Sequence, residues 1–325
     1  MKAAILGAGF ISEFHALGYQ AAQGAELCAV CDTDGEKARA LAQKFSCAWY
    51  TDARTLLERE RPELVSVCLP TYLHREYVMA ALEAGAHVLC EKPMALCMAD
   101  CLAMEAAAQR AGRVLMTAQV LRWWPEYVRI AEEIRRLGAP MYLHARRLQH
   151  PSREGSWHAS RELGGGALFD LFVHDVDFLL SVMGTDVQVD AANGDRGEGG
   201  SWRRVTAALR WPCGTCATVE ASNMMPAGYP FTAALHVQYR NAAIDYSFRT
   251  AVNIERNAKA NTELILYDGG AKALPLSPNA QEEAFKAQLS AFVRGARAGI
   301  SPLPAGESVR VMQIVARVEQ MLEQQ

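Results

Sequence analysis

Asp170, His174 and Asp177 stand at i, i+4 and i+7 in the run Gly164–Asp177, which reads GGGALFDLFVHDVD. On a helix that spacing stacks the three side chains on one face, because residues three and four apart are neighbours. A carboxylate aligned with an imidazole is an acid/base pair. The imidazole titrates near neutral pH and can take or return a proton. Leu168, Leu171, Phe172, Phe178 and Leu179 form an apolar stripe on the same segment, and the three glycines permit close backbone approach at its start. The same residues also suit an ordinary amphipathic helix with a solvated face, so the rest of the chain decides between the two readings.

The 325 residues make two domains a reasonable prior. Half of them are hydrophobic and 21% are charged, typical of a globular protein with a real core. A formal net charge of -3 gives no pull toward nucleic acid or an anionic membrane. No apolar run is long enough to span a bilayer, and the first residues lack the long apolar stretch of a signal peptide. Nine cysteines, an odd number, then read as reduced thiols in a cytoplasmic protein. Cys28 and Cys31 lie on a strand and point to opposite faces. Cys213 and Cys216 are half a zinc site with no second half at suitable spacing, so no metal is expected.

From the N-terminus the chain alternates. Lys2–Leu6 reads as a buried strand running into Gly7-Ala8-Gly9-Phe10-Ile11-Ser12, then a helix to about Ala22, then a strand over Ala25–Val30 ending at Cys31-Asp32. Strand, glycine turn, helix and strand, with an acid about 20 residues after the glycines, is the pattern of a dinucleotide site. Gly7 permits the tight turn, Gly9 lets the backbone approach a pyrophosphate, and the helix N-terminus offers its N–H groups to that anion. Asp32 can accept from both ribose hydroxyls. The carboxylates of Asp32-Thr33-Asp34 repel a 2′-phosphate, which favours NAD over NADP.

Further strands over Leu64–Leu69, His87–Cys90 and Val114–Ala118, separated by helical segments, predict a doubly wound parallel α/β sheet over residues 1–118. Ligands sit at the carboxyl ends of such strands, where Asp32, the loop Pro70–His74 and the turn Glu91-Lys92-Pro93 fall. Pro93 suits a cis peptide there. Residues 119–325 read as a second, α+β domain. It carries a helix ending at Gly138, strands from Met141–Arg147 and then from Val187 to about Tyr267, a helix over Ala167–Met183 and two terminal helices. Its sheet is expected to be open and largely antiparallel, and Ala191–Ser201 reads as a loop.

GAGFIS, Asp32, Pro70–His74, Glu91-Lys92-Pro93 and GGGALFDLFVHDVD together resemble the glucose–fructose oxidoreductase/inositol dehydrogenase (Gfo/Idh/MocA) family, in order and over essentially the whole chain. The resemblance implies a Rossmann domain followed by an α+β domain whose open sheet makes a homodimer or homotetramer. It implies NAD(P)-dependent oxidation or reduction of a sugar, cyclitol or related polyol. By the same resemblance Lys92, Asp170 and His174 are the catalytic residues. His174 is read as general base, Lys92 as hydrogen-bond donor to the reacting oxygen and Asp170 as orienter, with Lys92 and His174 able to exchange the base role. The candidate cofactor residues are Gly7, Gly9, Phe10, Ile11, Asp32, Leu69, Pro70, Thr71, His74, Glu91, Lys92 and Gln119. Beside Lys92, Asp170 and His174, the candidate substrate residues are Trp157 and Arg146. Of the adjacent Arg146 and Arg147 only one can face the site. Arg122 and His158 are further candidates, Asp177 is assigned to substrate or solvent, and Trp123 and Trp124 to core or interface.

Three other readings stay open. Transient oxidation with NAD recycled would make a lyase or glycosidase. An NAD- or sugar-sensing regulator would be expected to lose part of the Lys/Asp/His set. A reductase of a tetrapyrrole or dihydrodiol-type substrate rests on family breadth alone.

Overall fold

The alternating N-terminal segments build the sheet that carries the glycine turn. In the computed structural model, which describes residues 1–151, 155–250 and 260–324, β1 (Lys2–Leu6) leads through α1 (Phe10–Ala21), β2 (Glu26–Cys31), α2 (Gly35–Phe45), β3 (Ala48–Tyr50), α3 (Ala53–Glu60), β4 (Leu64–Val67), α4 (His74–Glu83), β5 (His87–Cys90) and α5 (Met98–Ala111) to β6 (Leu115–Thr117). The six strands are parallel, in the order β3-β2-β1-β4-β5-β6. This is the doubly wound arrangement, whose order reverses beside β1. Every residue of β4 and β5 is buried, as mainly apolar strands are when both faces are covered, and their polar members Ser66 and His87 are hydrogen-bonded inside. Asp34 and Asp52 start α2 and α3 by accepting backbone N–H groups of Glu36, Lys37 and Thr55. Pro70–His74 is not an open loop: Thr71–Leu73 form a 3-10 turn that runs straight into α4.

His87 opens β5, and its Nδ1 accepts the backbone N–H of Val114 at 3.0 Å. That atom must be unprotonated to accept. Burial, and then the Arg113 charge, hold the ring below its ordinary pKa. A histidine depressed in the fold binds fewer protons folded than unfolded. Its contribution is therefore complete above the unfolded pKa of about 6.5 and is lost as pH falls through the lowered folded value. Melting temperature should decline on acidification from about pH 6.5. In His87→Asn, whose Oδ1 can accept the same bond without titrating, that decline should be smaller. An identical pH profile in the variant would remove His87 from the explanation.

The second part of the chain runs α6 (Pro125–Leu137), β7 (Tyr142–Leu148), a π-helical turn at Leu168–Phe172, α7 (Val173–Met183), then β8 (Gln188–Arg196), β9 (Trp202–Arg210), β10 (Cys216–Ser222), β11 (Phe231–Gln238), β12 (Ala242–Thr250), β13 (Asn261–Asp268) and β14 (Ala271–Ala273). These strands make one eight-stranded sheet in the order β14-β13-β12-β11-β7-β10-β9-β8. It is antiparallel except where β7 and β10 pair in parallel. The residues 191–196, expected in a loop, belong to β8. Pairing with β9 and the bonds from Arg204 to Asp195 and Asn193 outweigh the turn propensity of Asn193 and Gly194.

The chain ends in α8 (Ala280–Ala298) and α9 (Ala305–Leu322). It forms two compact units: Met1–Trp124 with Gln281–Val309, and Pro125–Ala280 with Arg310–Gln325. A single division after residue 118 does not describe this arrangement. The reason is α8, whose Phe285 stacks on Phe14 of α1 at 5.0 Å and whose Leu289, Phe292 and Val293 complete the core around β1. Full burial of each such side chain stabilises the unit by about 1.5–3 kcal/mol, so the segment folds with the parallel sheet.

Candidate active site

In the first unit, Gly7 makes the turn after β1 with φ +103°, and a Cβ there would lie 2.1 Å from the Cys68 carbonyl oxygen. Only glycine lets this turn pack on the end of β4. Gly9 precedes α1 and faces open space, so the helix N-terminus is clear for an anion. Phe10 is 56% exposed and Ile11 is half-buried. Asp32 is pinned against the same turn: Oδ2 accepts the Ala8 N–H at 2.7 Å and Oδ1 accepts the Asp34 N–H at 2.9 Å. Asp34 itself caps α2 and lies 3.2 Å from Lys37 Nζ, which leaves Asp32 as the carboxylate committed to the glycine turn.

At the end of β5 the Lys92-Pro93 peptide is cis. Lys92 is half-buried between buried Glu91 and Pro93. Glu91 and His74, both expected on the cofactor side, turn inward. Glu91 Oε1 is 2.9 Å from His15 Nε2, and its Oε2 accepts the Lys92 N–H at 3.2 Å. The fully buried His74 ring lies between Pro93 O at 2.9 Å and Leu69 O at 2.8 Å. These side chains hold the segments carrying Leu69, Pro70, Thr71 and Lys92 rather than offering polar atoms outward, because a buried polar group needs a partner and the unit supplies one. Gln119 Oε1 and Thr117 Oγ1, in contrast, are buried and have no hydrogen-bond partner among the described residues. Both lie at the carboxyl end of β6, where Thr117 pairs with Cys90 of β5. Two unpartnered polar atoms at the carboxyl edge of the sheet that also carries the glycine turn and the pinned Asp32 fit a dinucleotide, whose own polar groups would satisfy them.

In the second unit, the helix begins with the π turn, not a regular α-turn. Such turns are frequent at functional sites. From Gly164 to Leu180 every residue is buried except Asp170 and His174. The third polar residue of the expected face, Asp177, is fully buried and so does not face solvent. Trp157 stacks on His158 with ring centroids 3.6 Å apart, and His158 Nδ1 lies 3.9 Å from Asp170 Oδ2. Gly164 makes this approach possible: a Cβ there would sit 2.7 Å from the Trp157 carbonyl and 2.9 Å from His158 Cα. Arg161, which sequence reasoning missed, anchors the segment. Its guanidinium takes both carboxylate oxygens of Glu319, at 2.6 and 2.7 Å, and covers the Phe169 ring at 4.7 Å. Residues 152–154 of the loop His150–Leu163 lie outside the described residues.

Arg146 does not share a face with this helix. Side chains alternate along β7, and it is Arg147 that reaches α7. Arg147 is buried and donates to Asp175 at 2.8 and 3.2 Å and to Tyr127 Oη at 3.3 Å. Arg146 lies on the opposite face, in register with Glu220 and Ala234. Arg122 is paired with Glu307 at 2.6 Å. Trp124 is buried and Trp123 packs against the first unit's core. Among the described residues no three His, Cys, Asp or Glu side chains are placed to hold a metal ion.

A parallel sheet of this order, with the glycine turn and Asp32 at its carboxyl edge, defines the dinucleotide-binding class of Rossmann proteins. The chain belongs to the Gfo/Idh/MocA family. Residues 1–119 match the oxidoreductase family model with the NAD-binding Rossmann fold, and residues 127–244 match the Gfo/Idh/MocA C-terminal domain. A D-apiose dehydrogenase of Paraburkholderia graminis is 37% identical over 43% of this chain and 38% of its own length. A 2,7-anhydro-N-acetylneuraminate hydratase of Mediterraneibacter gnavus is 33% identical over 58% of this chain and 52% of its own. Across relatives at 33–37% identity the match spans 38–56% of their length. In fold, the chain is similar to a 3-ketoreductase from Actinomadura kijaniata solved with NADP and TDP-benzene. The TM-score is 0.85 at 21% identity, covering 98% of this chain and 97% of that one.

Proposed function

We propose that the protein is an NAD-dependent oxidoreductase acting on the CH–OH group of a sugar, cyclitol or related polyol. The observation that carries this reading is the partial exposure of Asp170 and His174 alone in the otherwise buried run from Gly164 to Leu180. That burial speaks for a site over an ordinary solvated face, since the two accessible side chains are of acid/base type. A nicotinamide, when bound, would supply the hydride acceptor or donor. His174 takes the proton released from the substrate hydroxyl, the Lys92 ammonium donates to the reacting oxygen and stabilises its developing charge, and Asp170 holds the substrate or orients the imidazole. Trp157 offers an aromatic face to a sugar ring. Retention of all three residues argues against a purely sensing role. The Asp32 carboxylate beside the glycine turn supports NAD over NADP, since it would face a 2′-phosphate with like charge.

The relative named a hydratase favours a second reading, in which the cofactor is recycled without net oxidation. The two separate in one experiment: absorbance of NADH formed from NAD+ with a panel of inositols, hexoses, glycosides and sugar acids, alongside fluorescence titration of NAD+ and NADP+. Sustained NADH from one polyol, and tighter NAD+ than NADP+, is the expected result. NAD+ binding with product formed but no net NADH would replace it by the recycling reading. Self-association through the sheet face that carries Tyr142, His144, Arg146, Ala234 and His236 is part of the proposal, as is a cytoplasmic location. All nine cysteines are free thiols, and among the described residues no helix is long and apolar enough to cross a membrane.

A further inference from the structure

We propose that His15 is a positioning residue for Lys92, acting through the Glu91 carboxylate. The inference rests on the reading of Lys92 given above. His15 lies on α1, the helix that begins beside Gly9, and is fully buried, as are Tyr19 and Ser66. Four contacts run in series. Tyr19 Oη is 2.8 Å from Ser66 Oγ, Ser66 Oγ is 2.9 Å from His15 Nδ1, His15 Nε2 is 2.9 Å from Glu91 Oε1, and Glu91 Oε2 accepts the Lys92 backbone N–H at 3.2 Å.

One arrangement of protons satisfies every member. Tyr19 O–H donates to Ser66, Ser66 O–H donates to Nδ1 of a neutral His15, and His15 Nε2–H donates to an ionised Glu91, leaving Oε2 for Lys92. Burial keeps the Tyr19 phenol protonated, as that direction requires. Phe285 packs 5.9 Å from the imidazole. The series therefore joins α1, β4 and the turn after β5. A shift of the Glu91 carboxylate moves the Lys92 backbone. Tyr19, Ser66, His15 and Glu91 are buried, so water cannot replace a bond lost among them without opening the core.

Two substitutions separate positioning from packing. In His15→Gln the side-chain amide nitrogen can reach the Nε2 position and keep the bond to Glu91. In His15→Asn the amide reaches only the Nδ1 position, toward Ser66. The expected result is that His15→Asn speeds hydrogen exchange of the Lys92 amide by at least about 10-fold and lowers kcat by about 10–100-fold, with KM for the nucleotide within about twofold. His15→Gln should stay near the wild type in both. Glu91→Gln, whose amide cannot accept from both neighbours, should behave as His15→Asn does. Wild-type exchange and turnover in His15→Asn would overturn the proposal. So would equal losses in the Asn and Gln variants with Lys92 exchange unchanged, the mark of packing alone. If no polyol supports turnover by the unmodified protein, the reading of the site fails separately. Lys92 exchange in the two variants then decides the positioning proposal by itself, with unchanged exchange overturning it.

Discussion

Lys92→Ala is expected to reduce turnover by about 10²–10⁴-fold while nucleotide affinity stays close to that of the unmodified protein. The lysine follows the buried Glu91 and precedes a buried proline, so its backbone position is set by residues that the substitution leaves in place. Only the ammonium is lost, and with it the donor to the reacting oxygen. His174→Asn should produce a loss of the same order, because an amide of similar shape cannot take a proton at neutral pH. The double variant should lose little more than either single one, since residues that act on one transition state are not additive. Steady-state kinetics with the polyol identified by NADH formation, paired with nucleotide titration, checks all three. Full turnover in either single variant would end the assigned role of that residue.

Gly7→Asp should weaken dinucleotide binding at least about 100-fold, a change of roughly 2.7 kcal/mol. Two independent causes act together. The φ of +103° is strained for any L side chain, and the added Cβ falls 2.1 Å from the Cys68 carbonyl oxygen. The turn must therefore move away from β4, carrying the Ala8 N–H off Asp32 and the helix N-terminus out of line. The carboxylate also places a negative charge where a pyrophosphate would bind. Fluorescence titration measures the affinity, and circular dichroism confirms that the helices remain. Unaltered NAD+ binding by a folded variant would refute the placement of the dinucleotide at this turn.

The parallel sheet was legible because its short, mainly apolar strands alternate with helical segments, and because a turn like that at Gly7 admits few residues other than glycine. The spacing of Asp170 and His174 singled them out as a pair, while the role proposed for them rests on the family resemblance. His15 was not legible: its partners, Ser66 and Glu91, are 51 and 76 residues away. Arg161 was hidden for the same reason, with Glu319 separated from it by 158 residues.

The sequence by itself determined the Rossmann alternation, the glycine turn with its acid, and the residue types available for proton transfer. All of these depend on local periodicity and backbone preference. Only the tertiary structure decided which polar groups look outward. Glu91, His74 and Asp177 have the same chemistry as the groups left accessible. They are withdrawn because distant segments bury them and, for Glu91 and His74, supply hydrogen-bond partners. The choice between Arg146 and Arg147 was likewise made by α7, whose Asp175 binds the arginine on its side of the sheet. Which face of a strand is covered is a property of the packed layers, not of the strand.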